Sequence, residues 1–146
     1  MESSGPARDT VRAMSEENVE KCRRGFEAWN RRDVDGWLDD TAPDLEWSPA
    51  SPAAVERNVY RGEEEVRQAF AEIWEIWEVF RLEESEIRDL GGSLVWLGHV
   101  HARGRTSHVE LDHEFAAHIL LRDDEAIRSE GFLTWQEALE AAGLLE

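Results

Sequence analysis

Residues 94–121 read LVWLGHVHARGRTSHVELDHEFAAHILL, and they alternate in the way of two strands joined by a short turn. Period two puts Leu94, Trp96, Gly98, Val100 and Ala102 on one face of the first strand. The opposite face of its second half carries His99, His101, Arg103 and Arg105. In the second strand Val109, Leu111, His113, Phe115, Ala117, Ile119 and Leu121 share one face, and His108, Glu110, Asp112, Glu114 and His118 share the other. A sheet covered on one side needs such a face. A turn at Thr106-Ser107 sets Arg103 against Glu110, His101 against Asp112 and His99 against Glu114. The small residues Gly98, Ala102 and Ala117 predict a sheet curving around a hollow of a few hundred Å³, the roughly usual size of a small-ligand site.

Working outward, Gly91-Gly92 reads as the turn that brings in a strand near 81–89, and Asp123-Asp124 as the turn to a last strand over 126–133. Ile127, Ser129, Gly131 and Leu133 are expected to point inward on that strand. Thr134 with Glu137 forms a capping box for a closing helix that stops at Gly143. Towards the N-terminus, Val19, Cys22, Phe26 and Trp29 make one apolar helical stripe starting after Ser15. Asp33 caps a short second helix carrying Val34, Trp37 and Leu38, which Pro43 is expected to stop. Leu45 to Trp47 reads as a short strand and 48–58 as a loop. A third helix follows Gly62, with Val66, Ala69, Phe70, Ile73, Trp77 and Phe80 on one stripe. Helices first, then a mostly antiparallel sheet, is an α+β order with the helices on one face. The expected organisation is a mobile tail over residues 1–14 and one domain over 15–146.

The chain has 146 residues and a formal charge of −17, which argues against nucleic acid and anionic membrane surfaces. No apolar run approaches the ~20 residues a membrane span needs. The first residues lack the basic-then-apolar order of a secretion signal, and the single cysteine, Cys22, makes no internal disulfide. A cytoplasmic protein is expected. Seven tryptophans supply either core area or the walls of an aromatic pocket, and Phe26, Trp29, Trp47, Trp96 and Phe115 are the expected walls. His113, between Leu111 and Phe115, is the one polar residue on the inward face of its strand. Low-dielectric surroundings favour neutral imidazole, a usable general base, and Ser129 would offer a hydroxyl to the same space. The other reading of His113 is a core residue held by a backbone carbonyl or water. His99-x-His101 has metal-ligand spacing, but Arg103 and Arg105 beside it oppose a dication, so no metal is expected.

The wording of several segments resembles the SnoaL-like branch of the nuclear-transport-factor-2-like superfamily. They are SEENV at 15–19, FEAWN at 26–30, PDLEW at 43–47, YRG at 60–62 and EALEAAG at 137–143. The resemblance implies a cone-shaped barrel, a strongly bent and mostly antiparallel sheet wrapped over N-terminal helices, with a pocket at its open end. It implies isomerases, cyclases, hydrolases or proteins with no catalysis. The family's isomerase base falls on Trp47, its tyrosine near Gly25 or Phe26, and its partner acid near Ala117. The acid of its epoxide hydrolases falls near Gly131. None of these residues ionises. Two readings therefore stand. One is a pocket for a small, largely apolar molecule, with cofactor-free acid–base chemistry run by His113. The other is a binding or interaction protein that keeps the fold without the carboxylates. The family also implies a homodimer through the outer sheet face, where mixed charge predicts a salt-sensitive contact.

Overall fold

The computed structural model describes residues 6–50 and 58–144, with side chains from residue 16 onward. Ten elements follow in the order α1 (Pro6–Asn30), α2 (Val34–Leu38), β1 (Thr41–Ser48), β2 (Tyr60–Arg61), α3 (Gly62–Ile76), β3 (Trp77–Asp89), β4 (Ser93–Gly104), β5 (Glu110–Arg122), β6 (Glu125–Phe132) and α4 (Trp135–Ala141). One six-stranded sheet runs β2-β1-β6-β5-β4-β3. Only the β1–β6 pair is parallel. The sheet is curved but unclosed, with β2 and β3 as its two edges. The long hairpin has the expected register, with Arg103 opposite Glu110, His101 opposite Asp112 and His99 opposite Glu114.

The inward faces of β3, β4 and β5 pack with α1, α2 and α3 into the main core, which includes Trp29, Leu45, Phe70, Phe80, Leu94, Trp96 and Ile119. α4 does not join those helices. It covers the other face of the sheet, over Val95, Leu97, Ala116 and Phe132, so the expectation of helices on one face is corrected. Val95 and Leu97 make both faces of β4 apolar at its start, and such a strand needs a cover on each side. The cover is capped by its own first turn and tied to the sheet by two bonds. Thr134 caps the helix by accepting from the Glu137 amide, Trp135 N donates to Glu114 Oε1 (2.9 Å), and Trp135 Nε1 donates to the Gly98 carbonyl (2.8 Å).

Four boundaries differ from the periodicity reading. α1 runs back to Pro6, into the stretch read as a tail, whose residues 1–5 lie outside the described residues. Residues 51–57, most of the expected loop, lie outside them too. Pro43 does not stop α2, which ends at Leu38, but sits inside β1. There β1 has no β2 partner and its register with β6 shifts, so the missing amide costs no ladder bond. α3 ends at Ile76 and passes directly into β3. A register shift between Trp77 and Val79 adds a residue, so Trp77 and Phe80 are both buried three positions apart and imitate a helical stripe.

The exposed edge of β3 is closed by α1 rather than left open. Asn30 Nδ2 donates to the Leu82 carbonyl and Asn30 Oδ1 accepts from the Leu82 amide, both at 2.8 Å, so one side chain pairs as a neighbouring strand would. Trp29 Nε1 donates to the Phe80 carbonyl (3.0 Å), and Arg23 pairs with Glu84 (3.0 Å).

Candidate functional site

Between α1, α2 and β1 on one side and the concave face of β5 and β6 on the other lies a cavity of about 100 Å³. It is smaller than the few hundred Å³ expected because large rings fill its walls. Trp37 and Trp47 stand 4.7 Å apart, and Trp29 meets Trp47 edge-on at 6.0 Å. Phe26 and Phe115 add to the wall, and Ala117, Ala126 and Gly131 leave the space between. Gly131 admits no side chain cheaply, since a Cβ there would lie 2.9 Å from the Ala50 amide nitrogen.

The polar groups gather at one end, where Asn18, Lys21, Asp40, Thr41 and Asp124 line the cavity. Asn18 Nδ2 donates to Asp124 Oδ1 and Lys21 Nζ to the Asp124 carbonyl, each at 3.2 Å. Asp40 lies 3.7 Å from Arg24, and Lys21 3.6 Å from Glu17. Asp123 and Asp124 both have φ near +60°, the left-handed pair of a tight hairpin turn. Cys22, also in the wall, is held as a thiol: burial, with help from the Glu84 charge, pushes its pKa up to about 12.

Of the residues singled out from sequence, Phe26, Trp29, Trp47, Phe115 and Ser129 line this cavity. Ser129 and Gly131 face it by alternation, whereas Ile127 is an extra residue between paired Ala126 and Arg128, so that Ala126, and not Ile127, lines the cavity. Trp96 stands outside the wall, stacked on Phe26 at 4.3 Å, its Nε1 buried without a hydrogen-bond partner. Gly98 makes room for that indole rather than for a hollow, since a Cβ would lie 2.5 Å from Trp96 Cη2. His113 is also outside the cavity, whose wall on β5 runs from Phe115 to Leu121. Its Nδ1 is 2.8 Å from the Glu114 carbonyl. Alternation along a strand gives the face of a residue but not how far the cavity extends. Trp37, Asn18, Lys21 and Asp124 were not singled out as site residues. Trp37 carried a signal in its place on the stripe of α2, whereas the other three are brought together only by tertiary structure.

On the outer face, Arg103 pairs with Glu78 across to β3 rather than with Glu110, and Arg103 holds the Glu78 carboxyl below its usual range. His101 lies 3.2 Å from Asp112 and 3.8 Å from Glu83, and His99 packs edge-on against Trp135. His101 thus faces carboxylates as its register with Asp112 expects, whereas His99 meets the Trp135 indole of α4.

The SnoaL-like domain model matches residues 22–129. The chain belongs to the SnoaL-like family. Gly25, Phe26, Trp47, Ala117 and Gly131, the positions singled out by the resemblance, all line the cavity, and none ionises. No curated protein matches the sequence. Among solved structures the fold is similar to a nuclear-transport-factor-2-like protein of unknown function from Burkholderia pseudomallei (22% identity, TM-score 0.73, 84% of this chain and 95% of that one). It is similar to TerC co-crystallised with polyporic acid (20%, 0.71, 84% and 98%). It is also similar to a putative SnoaL-like polyketide cyclase from a Jannaschia species (16%, 0.71, 100% and 99%). At these identities the likeness is one of fold. No helix among the described residues is long and apolar enough to cross a membrane.

Proposed function

We propose that this SnoaL-like chain is a cytoplasmic, cofactor-free protein that binds a small, largely apolar molecule in the cavity between α1 and the sheet. The observation that carries the reading is the cavity's division, with six aromatic side chains along its walls and every titratable lining group except Cys22 at one end. Binding sites for small molecules combine mostly apolar walls with a few placed polar groups. Where the resemblance puts the family's catalytic groups the chain has Trp47, Gly25 or Phe26, Ala117 and Gly131, which favours binding over acid–base chemistry. His113 as a base would require the ligand to reach beyond Phe115, so His113→Leu is expected to leave binding intact.

The test uses N-phenyl-1-naphthylamine, a neutral apolar fluorophore that brightens in dry surroundings. Saturable binding at micromolar concentration is expected, with loss in Ala117→Leu, which pushes bulk into the cavity while the sheet stays folded. Equal binding by that folded variant would overturn the reading. For the assembly we propose a homodimer through the part of the outer face that α4 leaves uncovered, around Glu83, His101, Arg103 and Asp112. Its sedimentation should shift towards monomer as salt rises, because contacts between exposed charges are screened. Monomer alone at both low and high salt would contradict it.

A further inference from the structure

The polar end of the cavity is not electrically balanced, and the imbalance says what the ligand carries. Lys21 has Glu17 at 3.6 Å, and Asp40 has Arg24 at 3.7 Å. Asp124 has no such cation on its carboxylate. Its Oδ1 accepts from the neutral amide of Asn18, and Lys21 is spent on the backbone carbonyl of Asp124 instead. Its other oxygen has no hydrogen bond among the described residues. Asn18, the donor to this carboxylate, is 8% exposed, and Asp124 itself is half-buried. The indoles of Trp29, Trp37 and Trp47 stand in the wall of the same cavity and would take the apolar body of a ligand. A ligand carboxylate would meet the uncompensated Asp124 carboxylate, at a charge on the whole chain of −17.

We infer that the molecule bound here is an organic cation, an apolar body bearing a protonated amine, with the ammonium group received by the Asp124 carboxylate between α1 and the β5–β6 turn. This rests on the binding reading above and adds the charge of the ligand to it. Lys21 limits the site to one positive charge and orients it towards Asp124, since an ammonium nearer α1 would meet a like charge.

Equilibrium dialysis of three probes of one shape separates the possibilities: 2-naphthylmethylammonium, 2-naphthylmethanol and 2-naphthoate. The ammonium should bind about tenfold tighter than the alcohol, the usual advantage of a charge-assisted hydrogen bond, and the carboxylate weakest. In Asp124→Asn the ammonium and the alcohol should come within about twofold of each other, because the charge is gone while the alcohol's contacts remain. Asparagine accepts the left-handed backbone of residue 124 (φ +64), so the turn is kept. On the unaltered protein, raising salt should weaken the ammonium and leave the alcohol unchanged. An alcohol or carboxylate that binds as tightly as the ammonium overturns the inference and leaves the cavity reading standing. Failure of all three probes to bind overturns both.

Discussion

Adding one methyl group at Gly98 should break the fit between β4, the edge strand and the Trp96 ring. A Cβ at Gly98 would sit 2.1 Å from the Glu83 carbonyl oxygen and 2.5 Å from Trp96 Cη2, where ordinary contact begins at 3.4 Å. The ring can turn, but the carbonyl is backbone, fixed in a strand paired along the whole of β4. Relief requires β3 to move by over ~1 Å at a point where its register is already shifted, between Glu84 and Glu86. Overpacking of this kind costs up to about 3 kcal/mol, and the lower chain entropy of unfolded alanine returns about 0.5 kcal/mol. A net loss of about 2.5 kcal/mol, at a urea slope of about 1.7 kcal/mol per molar, lowers the unfolding midpoint by roughly 1.5 M. Tryptophan emission followed through a urea titration reads this directly. Putting Gly98→Ala into a Trp96→Leu background should recover less than half of the loss, because the Glu83 contact survives. A midpoint within about 0.3 M of the unaltered protein would refute the reasoning.

Asn30→Ala removes both bonds to Leu82 and should cost about 2 kcal/mol, with amide exchange at Leu82 the local readout. Unchanged exchange there would mean that α1 does not close the β3 edge. His118 has its pKa lowered from 6.5, first by burial, so the folded protein favours the neutral ring. Its contribution is therefore present above about pH 6.5 and lost as pH falls through the lower folded value, and His118→Gln should flatten stability over that interval. Cys22, with its pKa pushed to about 12, should resist iodoacetamide at pH 8 in the folded chain and react once urea unfolds it. Rapid alkylation without denaturant would contradict a thiol held protonated in the wall.

The sheet was legible because β4 and β5, 12 and 13 residues long, alternate apolar and polar residues over the halves that meet at their turn, enough to fix the faces and the register there. Where a strand carries an extra residue, alternation misleads. At Trp77–Phe80 it looked helical, and at Ile127 it put the wrong residue inward. The walls were readable as large aromatics on inward faces, and five of the seven site residues named from sequence do line the cavity. Trp96 and His113 lie on the right face, yet neither lines the cavity, because Phe26 covers one and the cavity stops short of the other at Phe115. The polar end was invisible for a different reason. Asn18 and Asp124 are 106 positions apart, and neither sits in a motif that tells of the other.

The seven indole N–H groups provide the most direct test of the cavity as a ligand site. In a nitrogen–proton correlation spectrum titrated with 2-naphthylmethylammonium, the Trp29, Trp37 and Trp47 indoles, which line the cavity, should shift most. Trp135, bonded to Gly98 on the other face of the sheet, should stay in place. The largest shift at Trp135, or the same small shift at all seven, would contradict a ligand bound between α1 and the sheet.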